Sequence, residues 1–219
     1  MPRTASLPSS QRRRPLSRDL IVDAAIELVE QHGAAALSMR RLGARLGVEG
    51  MALYHYFAGR EELLRAMADR LLAPLCGLES TGDWREDCRR FARALRGIAR
   101  ARPSAFVLVG LQSLDTPALL QPVERLLQAL VAAGFAACDA LAVYRGVASY
   151  ARGYALAEAT GFTVDAASPA RRRQLRELDV RTFPILGGHA ASLAGLDADR
   201  AYEFGLNALL DGVHDPTAA

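Results

Sequence analysis

The sequence predicts an all-α protein with an N-terminal three-helix head joined to a helical-bundle body. Three observations predict it. Between Leu16 and Leu72 three short helical patterns follow one another through tight turns, and a longer helix comes after them. Glycines stand where the first two patterns stop, at Gly33 and Gly47, and glycine accepts the left-handed backbone that ends a helix. After Pro74 the apolar positions keep helical spacing, which predicts a body of the same class.

The first helix is predicted to start after Ser17, an N-cap residue, and to present Leu20, Ile21, Ala24, Ala25, Leu28 and Val29 on one face. Ser38 caps a second, shorter helix carrying Leu42 and Leu46. Gly47-Val48-Glu49 is a turn of helix-turn-helix length. A third helix follows from about Gly50 to Phe57, with Leu53 and Phe57 turned to the core. This succession makes double-stranded DNA the first partner to consider.

The run LGVEGMALYHYFAGREELL resembles the TetR family of bacterial one-component repressors. The small residue, Leu-Tyr and paired aromatics that close the third helix carry the likeness, together with the basic residue before the acidic pair. The chain departs from the usual pattern at Ala58, where the family commonly has lysine; Arg60 keeps the second basic position. The resemblance implies a DNA site made of Ser38, Arg40, Gly50, Met51, Ala52, Tyr54, His55 and Arg60. Arg40 matches a position that reads guanine, which a guanidinium does with a bidentate pair. Ser38, Tyr54 and Arg60 would hold phosphates. Packing within a small head is the alternative for Tyr54 and Tyr56.

Residues 1–16 form a basic arm with Arg3, Arg12, Arg13 and Arg14 and no acid, broken by Pro2, Pro8 and Pro15. No stable helix is expected there, and the arm either follows phosphates or is a solvated tail. The head is placed at 17–62 and the body at 63–219.

Composition excludes several classes. The chain has 219 residues, 51% of them hydrophobic, enough to bury a sizeable core. No apolar run approaches the roughly 20 residues of a membrane span, and the polar, arginine-rich start is unlike a signal peptide. A cytoplasmic protein with no membrane partner is expected. The formal charge is only +3, and every basic residue other than histidine is arginine. Cys76, Cys88 and Cys138 form no CxxC pair, and His32, His55, His189 and His214 have no metal-ligand spacing. No catalytic, phosphate-loop or dinucleotide motif is present, so no enzyme, cofactor or metal is expected.

In the body, Asp83 is placed as the cap of a helix beginning at Trp84 and interrupted at Pro103. Ala105 to Leu114 is apolar nearly all round and is expected to be buried. Thr116-Pro117 caps the next helix, in which Pro122 offers a second start or a kink, and Gly134 ends it. Helices are expected from about Cys138 to Thr160 and from about Asp197 to Leu210, with a loop or short solvated helix at Gly161 to Arg173. Gly146, Gly153 and Ala157 on the first, and Ala201, Gly205 and Ala208 on the second, recur at spacings that allow close helix approach. They are assigned to a homodimer interface of four helices; packing within one chain explains the same stripes.

ARPSAFVLVGL, the AGF at Ala133 to Phe135 and AYEFGLNALLDGV resemble the ligand-binding body of tetracycline-repressor-like proteins. The resemblance implies a small-molecule effector pocket, assigned to Phe91, Leu95, Gly110, Gln112, Leu126, Tyr144, Ser149 and Tyr150. Gly110 replaces a metal-binding histidine, and Phe91, Leu95 and Leu126 replace polar drug contacts. A hard cation prefers oxygen ligands or imidazole, so a magnesium-bound drug is not expected and a largely apolar effector is. An effector-independent dimeric DNA-binding protein is the alternative.

Overall fold

The computed structural model describes residues 15–110, 116–161 and 169–214. Among them every regular element is helical. The α-helices are α1 (Arg18–His32), α2 (Met39–Leu46), α3 (Arg60–Leu72), α4 (Trp84–Ala101), α5 (Pro103–Val109), α6 (Pro117–Ala132), α7 (Ala137–Thr160), α8 (Pro169–Arg176), α9 (Ala190–Ala194) and α10 (Ala198–Asp211). Short 3-10 helices lie at Ala34–Ala36, Gly50–His55 and Ala73–Gly77. No described helix is long and apolar enough to cross a membrane.

Side-chain caps set the helix starts. Ser17 accepts from Leu20 N at 3.2 Å, Ser38 from Arg41 N at 3.3 Å, and Thr116 from Leu119 N at 3.3 Å. Asp83 and Asp197 do the same with carboxylates, which also suit the positive end of the helix. Gly33 and Gly47 end α1 and α2 with φ of 77° and 70°, a region that side chains resist.

In the head, Ile21, Ala25 and Val29 of α1 meet Leu42 of α2, Leu53, Phe57, and Leu63 and Met67 of α3, all buried. The same apolar core continues without a break into the body, through Leu71, Leu72 and Leu75 to α4, α7 and α10. Two polar links tie head to body as well. Glu30 of α1 accepts from Ala105 N at the start of α5 at 2.7 Å, and Thr116 at the start of α6 donates to Asp69 of α3 at 2.6 Å.

The body is centred on α4 packed along α7. Arg96 of α4 is 5% exposed, and it forms a bidentate pair with Glu158 of α7 at 2.8 and 2.6 Å. It also reaches Asp199 of α10 at 2.9 Å and lies over the Tyr202 ring, 4.3 Å from its centroid. One cation therefore joins three helices, with its hydrogen bonds satisfied.

Three expectations change in the structure. The third helix is a 3-10 turn over Gly50–His55, after which Phe57 N bonds back to Leu53 O at 3.0 Å. Of the stretch from Ala105 to Leu114, residues 111–114 lie outside the described residues, and the rest is not buried all round: Ala105, Phe106 and Val109 are inside, while Val107 is exposed. Pro122 neither starts nor breaks a helix, since α6 runs through it. Proline there leaves Ala118 O without its helical donor, and the Cys76 thiol supplies one at 3.3 Å. The short helix offered for Gly161 to Arg173 has its counterpart in α8, which starts at Pro169, residues 162–168 lying outside the described residues; Leu175 of α8 packs on Ala190 of α9 in a small cluster separate from the main core.

Candidate DNA interface and effector cavity

The head builds its outward face from the contact between α2 and the Gly50–His55 helix. A Cβ on Gly43 would lie 2.8 Å from Gly50 N, and one on Gly50 would lie 3.1 Å from Arg40 Cα. The two glycines let the backbones touch. Gly50, assigned to DNA contact, thus has a packing role of its own, and Gly43 was missed. Only the pairing of two glycines seven apart across the turn could have signalled it.

Ser38, Arg40, Tyr54 and Arg60 come together around one concave surface of about 320 Å³. Ser38 Oγ accepts the cap bond, which leaves its hydroxyl proton available to a phosphate. Tyr54 and His55 are exposed, and Met51 is 71% exposed on the same short helix, an apolar side chain facing water. Ala52 is half-buried. The arginines of the head divide into two sets. Arg18, Arg45 and Arg70 are paired with Glu62, Glu27 and Asp23. Among the described residues the side chains of Arg40, Arg41, Arg60 and Arg65 have no carboxylate or hydrogen-bond partner, and of these Arg40 and Arg60 line the concave surface. Unpaired cations on a concave face around a short helix can neutralise phosphates and reach base edges.

Other residues support this face. Ala58, where the resemblance expects lysine, gives its backbone N–H to Glu62 at 2.6 Å. That bond, then the Arg18 guanidinium, holds the Glu62 carboxyl below its ordinary value. Tyr56 is a packing residue: its hydroxyl donates to Leu16 O at 3.0 Å, and Arg18 donates to Tyr56 O. The basic arm, residues 1–14 of it, lies outside the described residues.

In the body, Phe91, Leu95 and Leu126 line two small neighbouring cavities between α4, α6 and the Ala73–Gly77 turn. The inner one, about 10 Å³, is walled by Leu72, Leu75, Phe91, Leu95 and Arg152; the second, about 30 Å³, shares Phe91 and Pro122 with it. A surface groove of about 620 Å³ shares Leu78, Glu79, Ser80 and Arg125 with the second. The outer wall is the chain from Cys76 to Thr81, and side chains stitch it down. Arg125 donates to Cys76 O and, at 3.3 Å, to Leu78 O; Arg90 donates to Glu79 O at 2.9 Å. Asp87 accepts from the Ser80 hydroxyl at 2.6 Å and from Thr81 N and Oγ1. Burial pushes the Asp87 carboxyl up, but these bonds outweigh it and hold the group below its ordinary value.

The other assigned pocket residues stand elsewhere. Tyr144 is buried edge-on to Phe91, 5.8 Å between centroids, behind the cavity wall. Gly110 is buried at the end of α5, where a Cβ would meet Phe106 O at 2.6 Å. Ser149 is exposed on the outer side of α7. Tyr150 is turned to α10, its hydroxyl donating to Tyr202 O at 2.7 Å, and burial raises it to about 12. Gln112 lies outside the described residues. Arg152 was missed, because its spacing on α7 differs in nothing from that of a solvated arginine. Among the described residues no group of three or more His, Cys, Asp or Glu gathers to hold a metal.

The small-residue stripes divide in the same way. Gly153 is exposed, and a Cβ there would meet nothing within 4 Å; on Gly146 it would only touch Leu209, at 4.0 Å. Ala208 is exposed, and Ala157 and Ala201 are half-buried. Gly205 instead serves the chain's own packing, since a Cβ there would lie 2.5 Å from the Tyr150 hydroxyl. Beside it Phe204 is 78% exposed.

A family model described as bacterial regulatory proteins, tetR family, matches residues 21–67, and one described as tetracyclin repressor-like, C-terminal domain, matches residues 76–216. An HTH-type transcriptional regulator of Saccharopolyspora erythraea is 32% identical over 208 residues, which cover 92% of this chain and 86% of that protein. The crystal structure of a possible TetR family transcriptional regulator from Streptomyces coelicolor superposes with a TM-score of 0.76 at 34% identity, covering 90% of this chain and 98% of that one. The Streptomyces coelicolor TetR family protein ActR, in complex with actinorhodin, superposes with a TM-score of 0.76 at 26% identity, covering 91% and 97%.

Proposed function

The chain belongs to the TetR family of bacterial regulatory proteins, and from that premise we propose that it is a ligand-responsive transcriptional repressor, acting in the cytoplasm as a homodimer on a near-palindromic operator. The observation that carries the reading is the concave face of the head, where Arg40 and Arg60 stand without a carboxylate beside Ser38 and Tyr54. One such face reads one half-site, and a two-fold dimer presents two.

The effector is small and largely apolar. ActR was solved in complex with actinorhodin, which supports a ligand site in the body of this fold. Here Phe91, Leu95 and Leu126 are among the walls, and among the described residues no group of three metal ligands gathers. Leu72, at the end of the head's own helix α3, and Leu75 close the inner cavity. A molecule wedged there pushes on the segment that carries the head. Binding is then tighter in the form whose heads no longer match the operator, which is the condition for release.

The cavities are too small, as they stand, for anything beyond a water. That volume favours the rival reading, an effector-independent dimer. A gel-shift titration separates the two. The operator, selected from random DNA, should be released by an apolar aromatic from a mixed panel and not by tetracycline with magnesium. Micromolar, magnesium-dependent release by tetracycline overturns this account of the pocket. A panel that releases nothing favours the rival.

A further inference from the structure

Arg152 lies on α7, half-buried, and forms part of the inner cavity wall with Leu72, Leu75, Phe91, Leu95 and Leu119. Among the described residues its guanidinium makes no hydrogen bond and no ion pair. The contrast is with Arg96, also in the body, which takes a bidentate carboxylate, a second carboxylate and a backbone carbonyl. A guanidinium carries five donors and does not lose its charge in a protein. Placed against leucine and phenylalanine, an unpartnered one is an incomplete pair. The Arg152 charge also acts on the hydroxyl of Tyr144, eight residues back on α7, which places a second hydrogen-bond donor within its field.

We infer that the effector is an apolar acid: an aromatic or alicyclic body with a single carboxylate that seats on Arg152. The inference rests on the reading of the body as a ligand-responsive cavity and deepens it. The inner cavity, about 10 Å³ as it stands, has to widen to seat the ring system between its apolar walls, and the one free cation among its described lining residues takes the charge. A carboxylate offers Arg152 two parallel acceptors, the arrangement a guanidinium fits best. The entrance carries both signs: Arg125 lines the outer groove with Glu79, and the second cavity adds Arg90 and Asp87. The charge preference therefore rests on Arg152, where a cationic ligand would meet like charge. A neutral one would leave Arg152 desolvated and unpaired, at a cost a carboxylate removes.

The test is isothermal titration of the full-length dimer with matched pairs: naphthalene, biphenyl and anthracene carboxylates, each beside its primary amide. Amide and acid have the same shape, so the difference reports the charge. At least one acid should bind wild type roughly tenfold or more tighter than its amide, the scale of one charge-assisted hydrogen bond. Arg152→Met should abolish that preference and leave the amide affinity within about twofold, because the apolar walls remain. Arg152→Lys, which keeps the charge, should retain part of the preference and guards against a folding defect in the methionine variant. Amides binding as well as acids, or an acid preference that survives Arg152→Met, overturns the inference while leaving a ligand cavity in place. No binding by either series overturns the inference together with the cavity reading beneath it.

Discussion

Gly43 and Gly50 meet face to face, so that a Cβ on Gly43 would lie 2.8 Å from the Gly50 nitrogen. This contact sets the distance between α2 and the short Gly50–His55 helix, and therefore the spacing of Arg40 and Ser38 from Tyr54. Backbone stands on both sides, so nothing can rotate away from an added methyl group.

Gly43→Ala should force the two helices apart. Overpacking of this kind costs about 1–3 kcal/mol. Operator affinity should fall further than that loss of stability explains, because the four contact residues no longer share one surface. Urea unfolding together with fluorescence anisotropy on labelled operator checks it. Normal binding by a destabilised Gly43→Ala protein would show that the contact matters for folding alone.

Gly153→Leu reports on the dimer without disturbing the chain. A Cβ on Gly153 would meet nothing within 4 Å, and the residue is exposed, so a side chain there starts into open space in its own protomer. If a partner helix lies against it, sedimentation velocity should show monomer, and operator binding should fall. Gly205→Ala is the contrasting variant. It strikes the Tyr150 hydroxyl at 2.5 Å within the chain, so its effect should be on stability at any protein concentration. A Gly153→Leu protein that stays dimeric rules out a seam at that glycine.

Arg96→Met should be among the most damaging changes in the body. It strands Glu158, which has 17% side-chain exposure, without its cation. Breaking a buried pair from one side costs about 3–5 kcal/mol, while removing both charges costs far less. The double variant Arg96→Met with Glu158→Leu should therefore recover most of the loss in urea unfolding at fixed protein concentration. A single variant costing under about 1 kcal/mol would mean that the cluster is solvated.

Asp87 should contribute to acid unfolding. Its folded-state value lies below the ordinary 3.8, because the bonds from Ser80 and Thr81 outweigh burial. A depressed carboxylate stabilises fully above its unfolded value, and that stability disappears as pH falls through the folded one. Asp87→Asn should thus lower stability at neutral pH and flatten the loss below about pH 4. The 76–81 wall should also loosen in hydrogen exchange. An unchanged acid limb would mean that other carboxylates control it.

Much of the architecture was legible because it is periodic. Ser17, Ser38, Asp83 and Thr116 cap where the sequence places them, and of the apolar face assigned to α1, Ile21, Ala24, Ala25, Leu28 and Val29 are buried. Four of the residues assigned to DNA, Ser38, Arg40, Tyr54 and Arg60, do gather on one face. What sequence spacing could not carry is distance between elements. Gly205 and Gly153 look alike in a stripe, yet one faces a tyrosine of its own chain and the other faces open space. Tyr150 and Ser149 have the right register for a pocket but turn toward α10 and solvent. Arg152 became visible only when its neighbours turned out to be leucines and no acid among the described residues came to meet it.

The central claim is that the concave face of the head reads DNA, and it is tested most directly by measuring base preference in Arg40→Ala and Arg60→Ala. Anisotropy titrations on a selected operator, and on operators mutated one base pair at a time, give both quantities. Arg40→Ala should cost about 1–3 kcal/mol and lose discrimination at one base pair in each half-site. Arg60→Ala should weaken binding to every sequence alike and lower the salt slope by about one. Unchanged affinity and unchanged base preference in Arg40→Ala would contradict the assignment of this face.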